Sequence, residues 1–177
     1  MWTSAEIRKA YGDFFRGMAP TCPTHFLTVT LTAPDTVTHV ENFNSTGQGK
    51  RYGFIRQAIN VIDLRLYGRK HRDIPDTDKF DFAVKVEKVS KAGDRIPAHF
   101  HYLLEIGDKD RVRFDATWTR NSDVIRRAIS RAGFRPTVHI VPVDDVEGIK
   151  SYFTKWSIDD ADEVYTRNTL QSSLHRW

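Results

Sequence analysis

Cysteine is nearly absent from this chain: Cys22 is the single one among 177 residues. That excludes an internal disulfide and any cysteine-rich zinc site, so nothing speaks for an oxidising compartment. Long apolar runs are missing too, and no segment approaches the ~20 residues that a membrane span needs. The opening residues, Met1-Trp2-Thr3-Ser4-Ala5-Glu6, lack the basic and apolar blocks of a secretory signal. There is no internal repeat, low-complexity tract or interdomain linker. Gly47-Gln48-Gly49-Lys50 is too short for a Walker A loop and reads as a loop with a helix start. Charge is close to balanced: a formal net charge of +4 and a pI near 9.2 are compatible with a nucleic-acid partner without singling one out. These absences predict a soluble cytoplasmic protein with no membrane partner.

What is present suffices for one globular domain, since 40% of the residues are hydrophobic and 28% charged. Ile7, Tyr11, Phe14 and Phe15 predict a helix over about 4–17 with Ser4 as its cap. Phe26 to Thr32 alternates as a strand with Leu27, Val29 and Leu31 inward. Residues 33–49 read as a loop. Ile55, Ala58, Ile59, Ile62 and Leu66 make a helical stripe that stops at Gly68. Phe80 to Glu87 and Ala98 to Ile106 alternate as two further strands around Ala92-Gly93-Asp94. Residues 111–118 also alternate, but find no clear place in a sheet. A helix capped by Ser122 and ended by Gly133 follows, then a strand over Val138–Val143. Asp144 and Glu147 form a capping-box-like start for a last helix, about 145–157. The order β-α-β-β-α-β-α is the α+β, ferredoxin-like or RRM-like pattern with an added helix. It predicts an antiparallel sheet ordered 4-1-3-2, its helices on one face. The core covers about residues 25–157, and 158–177 form a polar tail that docks or stays loose.

Within the third strand, His99-Phe100-His101 puts two imidazoles on one side of the sheet. The hairpin register can be tested by centring the turn on Gly93, so that partners sum to 186. Val86 then faces Phe100, Val84 faces Tyr102, Phe82 faces Leu104 and Phe80 faces Ile106. All four pairs are apolar and share one side, as helix packing requires. The same register sets Glu87 opposite His99 and Lys85 opposite His101, on the side away from the helices. Pro97 lies within the hairpin, where a bulge would shift that pairing. Two nitrogens and one oxygen with open positions suit Mg²⁺ or Mn²⁺ engaged with a phosphate. Glu87 reads equally well as a solvent-facing strand residue.

The last helix carries Tyr152 and Lys155, three apart and so on one face. A phenol has an ordinary pKa near 10, so attack on a phosphodiester needs a nearby cation to help remove its proton. A lysine there would offset charge gathering on the phosphate. Ile149, Tyr152, Phe153 and Trp156 also describe an ordinary buried stripe, and the helix alone reads Tyr152 as a core residue; only its combination with the histidine strand changes that.

Taken in order, Phe26-Leu27-Thr28-Val29-Thr30, His99-Phe100-His101 and Tyr152-x-x-Lys155 resemble the three motifs of the HUH endonucleases, the rolling-circle replication initiator (Rep) proteins. The resemblance spans about residues 25–157. It implies that His99 and His101 bind a divalent metal ion with Glu87 as third ligand. Tyr152 would attack single-stranded DNA, for instance an origin hairpin, and keep its 5′ end as a phosphotyrosine while Lys155 assists. Members with two tyrosines carry the second four positions on, where this chain has Trp156, so the resemblance is to the single-tyrosine type. Unwinding would fall to a host or separate helicase, or to a region outside this chain.

Arg65, Arg69, Lys70, His71 and Arg72 form one basic cluster, and Arg126, Arg127, Arg131 and Arg135 a second; such clusters read first as solvated faces and second as candidate DNA contacts. Thr28 and Thr30 would line the open sheet face beside the histidine strand. Two rival readings remain. A metal-dependent phosphodiester hydrolase using water needs the three ligands but not Tyr152. A non-enzymatic ferredoxin-like nucleic-acid-binding module would use aromatic side chains on the open face.

Overall fold

A computed structural model describes residues 3–32, 48–89, 95–130, 135–154 and 163–167. The elements run α1 (Ser4–Met18), β1 (His25–Thr32), α2 (Gln48–Tyr67), a 3₁₀ turn (Asp76–Asp78), β2 (Asp81–Val89), β3 (Arg95–Glu105), α3 (Asp108–Ser130), β4 (Arg135–Pro142), α4 (Val146–Thr154) and β5 (Glu163–Thr166). The strands form one antiparallel sheet in the order β4-β1-β3-β2-β5. Its first four strands reproduce the ferredoxin-like order expected from the sequence. Among the described residues, no helix is long and apolar enough to cross a membrane.

Alternation decides which face each strand buries. Leu27, Val29 and Leu31 of β1, Phe82, Val84 and Val86 of β2, and Phe100, Tyr102 and Leu104 of β3 share one core. Ile55, Ala58, Ile59, Ile62 and Leu66 of α2 close over it, joined by Phe114 and Ile125 of α3. Gly68 ends α2 at φ 75°, a left-handed conformation that favours glycine. The β2–β3 register pairs Val86 with Phe100, Lys85 with His101 and Glu87 with His99, as the apolar pattern requires. It slips only between Glu87 and Val89, where Val89 pairs with Arg95.

Several local expectations are corrected. Thr3, rather than Ser4, caps α1: its hydroxyl accepts from the Glu6 amide at 3.2 Å, and Glu6 accepts in return from the Thr3 amide at 2.7 Å. Residues 111–118 and the helix assigned to Ser122 onward are one helix, α3, so Ser122 lies in its interior rather than at its N-terminus. Phe114 is fully buried while Val112 is 76% exposed, which an inward-alternating strand would not produce. Gly133 lies outside the described residues. Asp145, rather than Asp144, caps α4 by accepting from the Gly148 amide at 2.8 Å, and a Cβ at Gly148 would collide with that carboxylate. Residues 163–166 of the tail form β5 along the free edge of β2.

Arg167, directly after β5, anchors that strand. Its Nη2 donates to the Phe80 carbonyl at 2.6 Å, and its guanidinium lies over the rings of Phe80 and Phe82, 5.1 and 5.0 Å from their centroids. Asp76 at 3.4 Å and the buried Asp63 at 3.8 Å balance its charge. Burial still holds the Asp63 carboxyl above its usual range, which Arg167 only partly offsets.

A buried histidine ties β1 to α3. His25 is 2% exposed, with Nε2 at 2.9 Å from Asp115 and Nδ1 at 2.9 Å from the Thr24 hydroxyl. Burial keeps its pKa below the usual value despite Asp115. In the unfolded chain the ring takes a proton near pH 6.5. Below that pH the unfolded state binds more protons, so the stability from a neutral His25 is complete above about pH 6.5 and lost as pH falls. We expect the melting temperature to drop between pH 7.5 and 5, and the drop to shrink in His25→Gln. It should not vanish, because His99 is shifted the same way. An unchanged pH slope in the variant would remove His25 from this account.

Candidate metal site

The odd-numbered positions of β2 and β3 and the even-numbered positions of β1 meet on the face away from α2 and α3. There α4 lies across the sheet: Phe153 is buried against Ala83 and Leu103, with Phe26, Ile149 and Ala19 around them. The added helix of the expected pattern thus lies on the face opposite α2 and α3. It turns part of an open sheet surface into a covered site.

Glu87, His99 and His101 each offer a ligand atom, and these atoms all lie within 4.8 Å of one another. The three residues could hold a metal ion. Their chemistry fits a divalent cation: two ring nitrogens and one carboxylate oxygen, on adjacent strands that fix their separation. The hydrogen bond from His101 draws the Glu87 pKa down to about 2 against the opposing effect of burial, with Lys85 adding to the fall. Burial, reinforced by the His101 charge, lowers the His99 pKa and favours the neutral ring that a metal requires.

Around His101 the contacts are close on every side. Its Nδ1 is 3.2 Å from the Thr28 hydroxyl and its Nε2 3.2 Å from Glu87 Oε2. Phe26 stacks on the ring at 5.5 Å between centroids. Tyr152 meets both rings edge-on, 5.8 Å from His101 and 5.9 Å from Phe26. Tyr152 is 45% exposed, whereas its neighbour Phe153 is 1% exposed. The apolar stripe of the helix is therefore divided: Phe153 packs, and Tyr152 stands at the rim beside the histidines. Burial and the Glu87 charge push the phenol's pKa upward.

Lys155 and Trp156 lie outside the described residues. Tyr165 pairs with Val84 in the β2–β5 register, a position on the opposite face of the sheet from the histidines. The basic residues at the end of α2 and on α3 do not join the site either, whereas Arg135 of β4 pairs with Thr32, an even-numbered β1 position on the site's face. Arg65, Arg69, Lys70 and Arg72 are exposed at the end of α2, and Arg126 and Arg127 are exposed on α3. Both helices pack on the other face. His71 is buried with Nδ1 at 3.1 Å from the Gly68 carbonyl, which makes it part of the helix terminus rather than of a basic surface. Arg126 is paired with Asp123 at 2.9 Å, and Arg131 lies outside the described residues.

Sequence reasoning gave no site role to Phe26 or Lys85. Lys85 is 3% exposed, with Nζ at 3.2 Å from Glu87 Oε1. The only sequence signal was its register position opposite His101; a lysine in an alternating strand otherwise reads as a solvent contact. No protein-family model, curated protein or solved structure matches this chain.

Proposed function

We propose that this chain is a metal-dependent endonuclease and strand transferase for single-stranded DNA, of the single-tyrosine HUH type, acting in the initiation of rolling-circle replication. The observation that carries the reading is the half-exposed Tyr152 ring set edge-on to His101, on the face that holds Glu87 and His99. A buried-stripe tyrosine would have no reason to stand there. The motif resemblance supplies the rest.

A divalent cation, Mg²⁺ or Mn²⁺, bound by Glu87, His99 and His101 would supply a Lewis acid for the scissile phosphate and positive charge near the phenol. In this reading the Tyr152 oxygen loses its proton to solvent and bonds to phosphorus. The bond from phosphorus to the 3′ oxygen breaks, and that oxygen takes up a proton as a free 3′-hydroxyl. The 5′ phosphate stays on Tyr152, so a 3′-hydroxyl can later attack it and rejoin a strand. Lys155, three positions on from Tyr152 in sequence, would offset charge on the phosphate oxygens.

One observation favours a second reading. The upward push on the Tyr152 phenol makes it a poorer nucleophile without added positive charge, and a hydrolase that uses water would not need it. A base-stacking module is disfavoured because α4 covers part of the sheet face that such a module would present.

The test is a pool of labelled single-stranded oligonucleotides incubated with the protein and Mn²⁺, then run on a denaturing gel. A protein–DNA adduct whose modified peptide contains Tyr152 is the expected result. Cleavage without an adduct would establish the water-using hydrolase instead. Binding without cleavage, over a pool broad enough to contain the target, would leave a non-enzymatic module.

A further inference from the structure

Four polar side chains form one hydrogen-bonded row across β1, β3 and β2. Thr28 Oγ1 meets His101 Nδ1 at 3.2 Å, His101 Nε2 meets Glu87 Oε2 at 3.2 Å, and Glu87 Oε1 meets Lys85 Nζ at 3.2 Å. The sheet register dictates the row, because His101 is the cross-strand partner of both Thr28 and Lys85. His101 is 5% and Lys85 3% exposed, so neither is free to take another conformation in solvent.

A buried ammonium costs desolvation energy unless its charge is used. On the strand's own pattern, position 85 should have held a residue in water. Here the amine is drawn under the covered face and bonded to one oxygen of Glu87. The other oxygen is left turned to the histidine pair. At the far end, the Thr28 hydroxyl holds Nδ1, which leaves Nε2 as the nitrogen facing Glu87.

We propose that Lys85 is a positioning residue for Glu87, and Thr28 the matching one for His101, so that one chosen oxygen and one chosen nitrogen are presented together to a divalent cation. Groups of this kind orient the direct ligands of metal sites and strongly affect affinity. The inference rests on the reading of Glu87, His99 and His101 as a metal site. It does not need Tyr152 or DNA.

The sign of one measurement separates positioning from mere proximity. Lys85 is a positive charge beside a cation site, so a bystander lysine opposes cation binding, and its removal should tighten it. A positioning lysine does the reverse. We expect Lys85→Met to weaken Mn²⁺ binding to the full chain by about 10–100-fold, read by calorimetry or by electron paramagnetic resonance of free Mn²⁺. Thr28→Val should weaken it as well, and Thr28→Ser, which keeps the hydroxyl, should restore it. The Thr28 pair carries the test should Lys85→Met fail to fold.

Equal or tighter Mn²⁺ binding in folded Lys85→Met would overturn the role of Lys85 while leaving the metal site intact. Equal losses in Thr28→Val and Thr28→Ser would overturn the role of Thr28. Absence of Mn²⁺ binding by the unsubstituted chain would overturn the metal site itself, and this inference with it.

Discussion

Replacing Tyr152 by phenylalanine should abolish the covalent DNA adduct and lower cleavage by at least about 10³-fold, because it removes the only atom proposed to attack phosphorus. The fold should hardly notice. The phenylalanine ring keeps the edge-on contacts to Phe26 and His101, and a side chain that is 45% exposed loses no buried partner. Mn²⁺ affinity should stay within about twofold, since the phenol is not among the three ligands. No substitute nucleophile stands nearby in the tyrosine motif: the position four residues on is Trp156, and Tyr165 pairs with Val84, a position on the other face. The assay is the adduct gel, with a melting curve and a Mn²⁺ titration on the same preparation. Cleavage retained at the unsubstituted rate would sink the phosphotyrosine mechanism and favour water as the nucleophile.

His101→Ala should strike one step earlier. Its ring touches Thr28, Glu87, Phe26 and Tyr152, so its loss removes a proposed ligand and also unsettles the carboxylate and the aromatic pair beside it. Mn²⁺ binding should weaken by about 100-fold or more, with adduct formation falling in step. Because the ring is buried, its truncation also leaves a cavity and costs stability, on the order of 2 kcal/mol. Saturating Mn²⁺ separates the two substitutions. It should recover part of the adduct in His101→Ala and none in Tyr152→Phe. Undiminished Mn²⁺ affinity in folded His101→Ala would take this histidine out of the metal site.

Much of this arrangement was legible along the chain, and particular residues show why. In β2 and β3 the apolar positions alternate without interruption, and a slip of one residue would turn Phe82, Val84, Phe100 and Tyr102 out of the core together. Registers that meet this demand differ by steps of two, and the one centred on Gly93 brings Glu87 to His99. The first half of α3 was misread for a related reason. Val112, Phe114, Ala116 and Trp118 alternate by chance, while the pattern that governs the helix runs through Phe114, Ile125 and Ala128 at helical spacing. Only packing against α2 distinguishes the two periods, because it buries Phe114 and leaves Val112 in solvent.

β5 and Arg167 were out of reach of any local pattern. A four-residue strand has too little alternation to declare itself, and Arg167 is held by Asp63, Asp76, Phe80 and Phe82, none of them its neighbour in sequence. The division of the last helix was equally hidden. Ile149, Tyr152 and Phe153 share one apolar face, and periodicity cannot tell which of them will be covered.

By itself, then, the sequence determined β1 to β4 and the face on which His99, His101 and Glu87 meet, because hydrophobic alternation fixes which side of each strand turns inward and the turn at Gly93 sets the pairing. Only the tertiary structure decided that α4 crosses that face, sealing Phe153 against Ala83 and Leu103 and leaving Tyr152 at its edge beside His101. It also decided that Lys85 is drawn inward to Glu87. Which element covers a face depends on the apolar area gained between residues far apart in the chain, and no stretch of sequence carries that quantity alone.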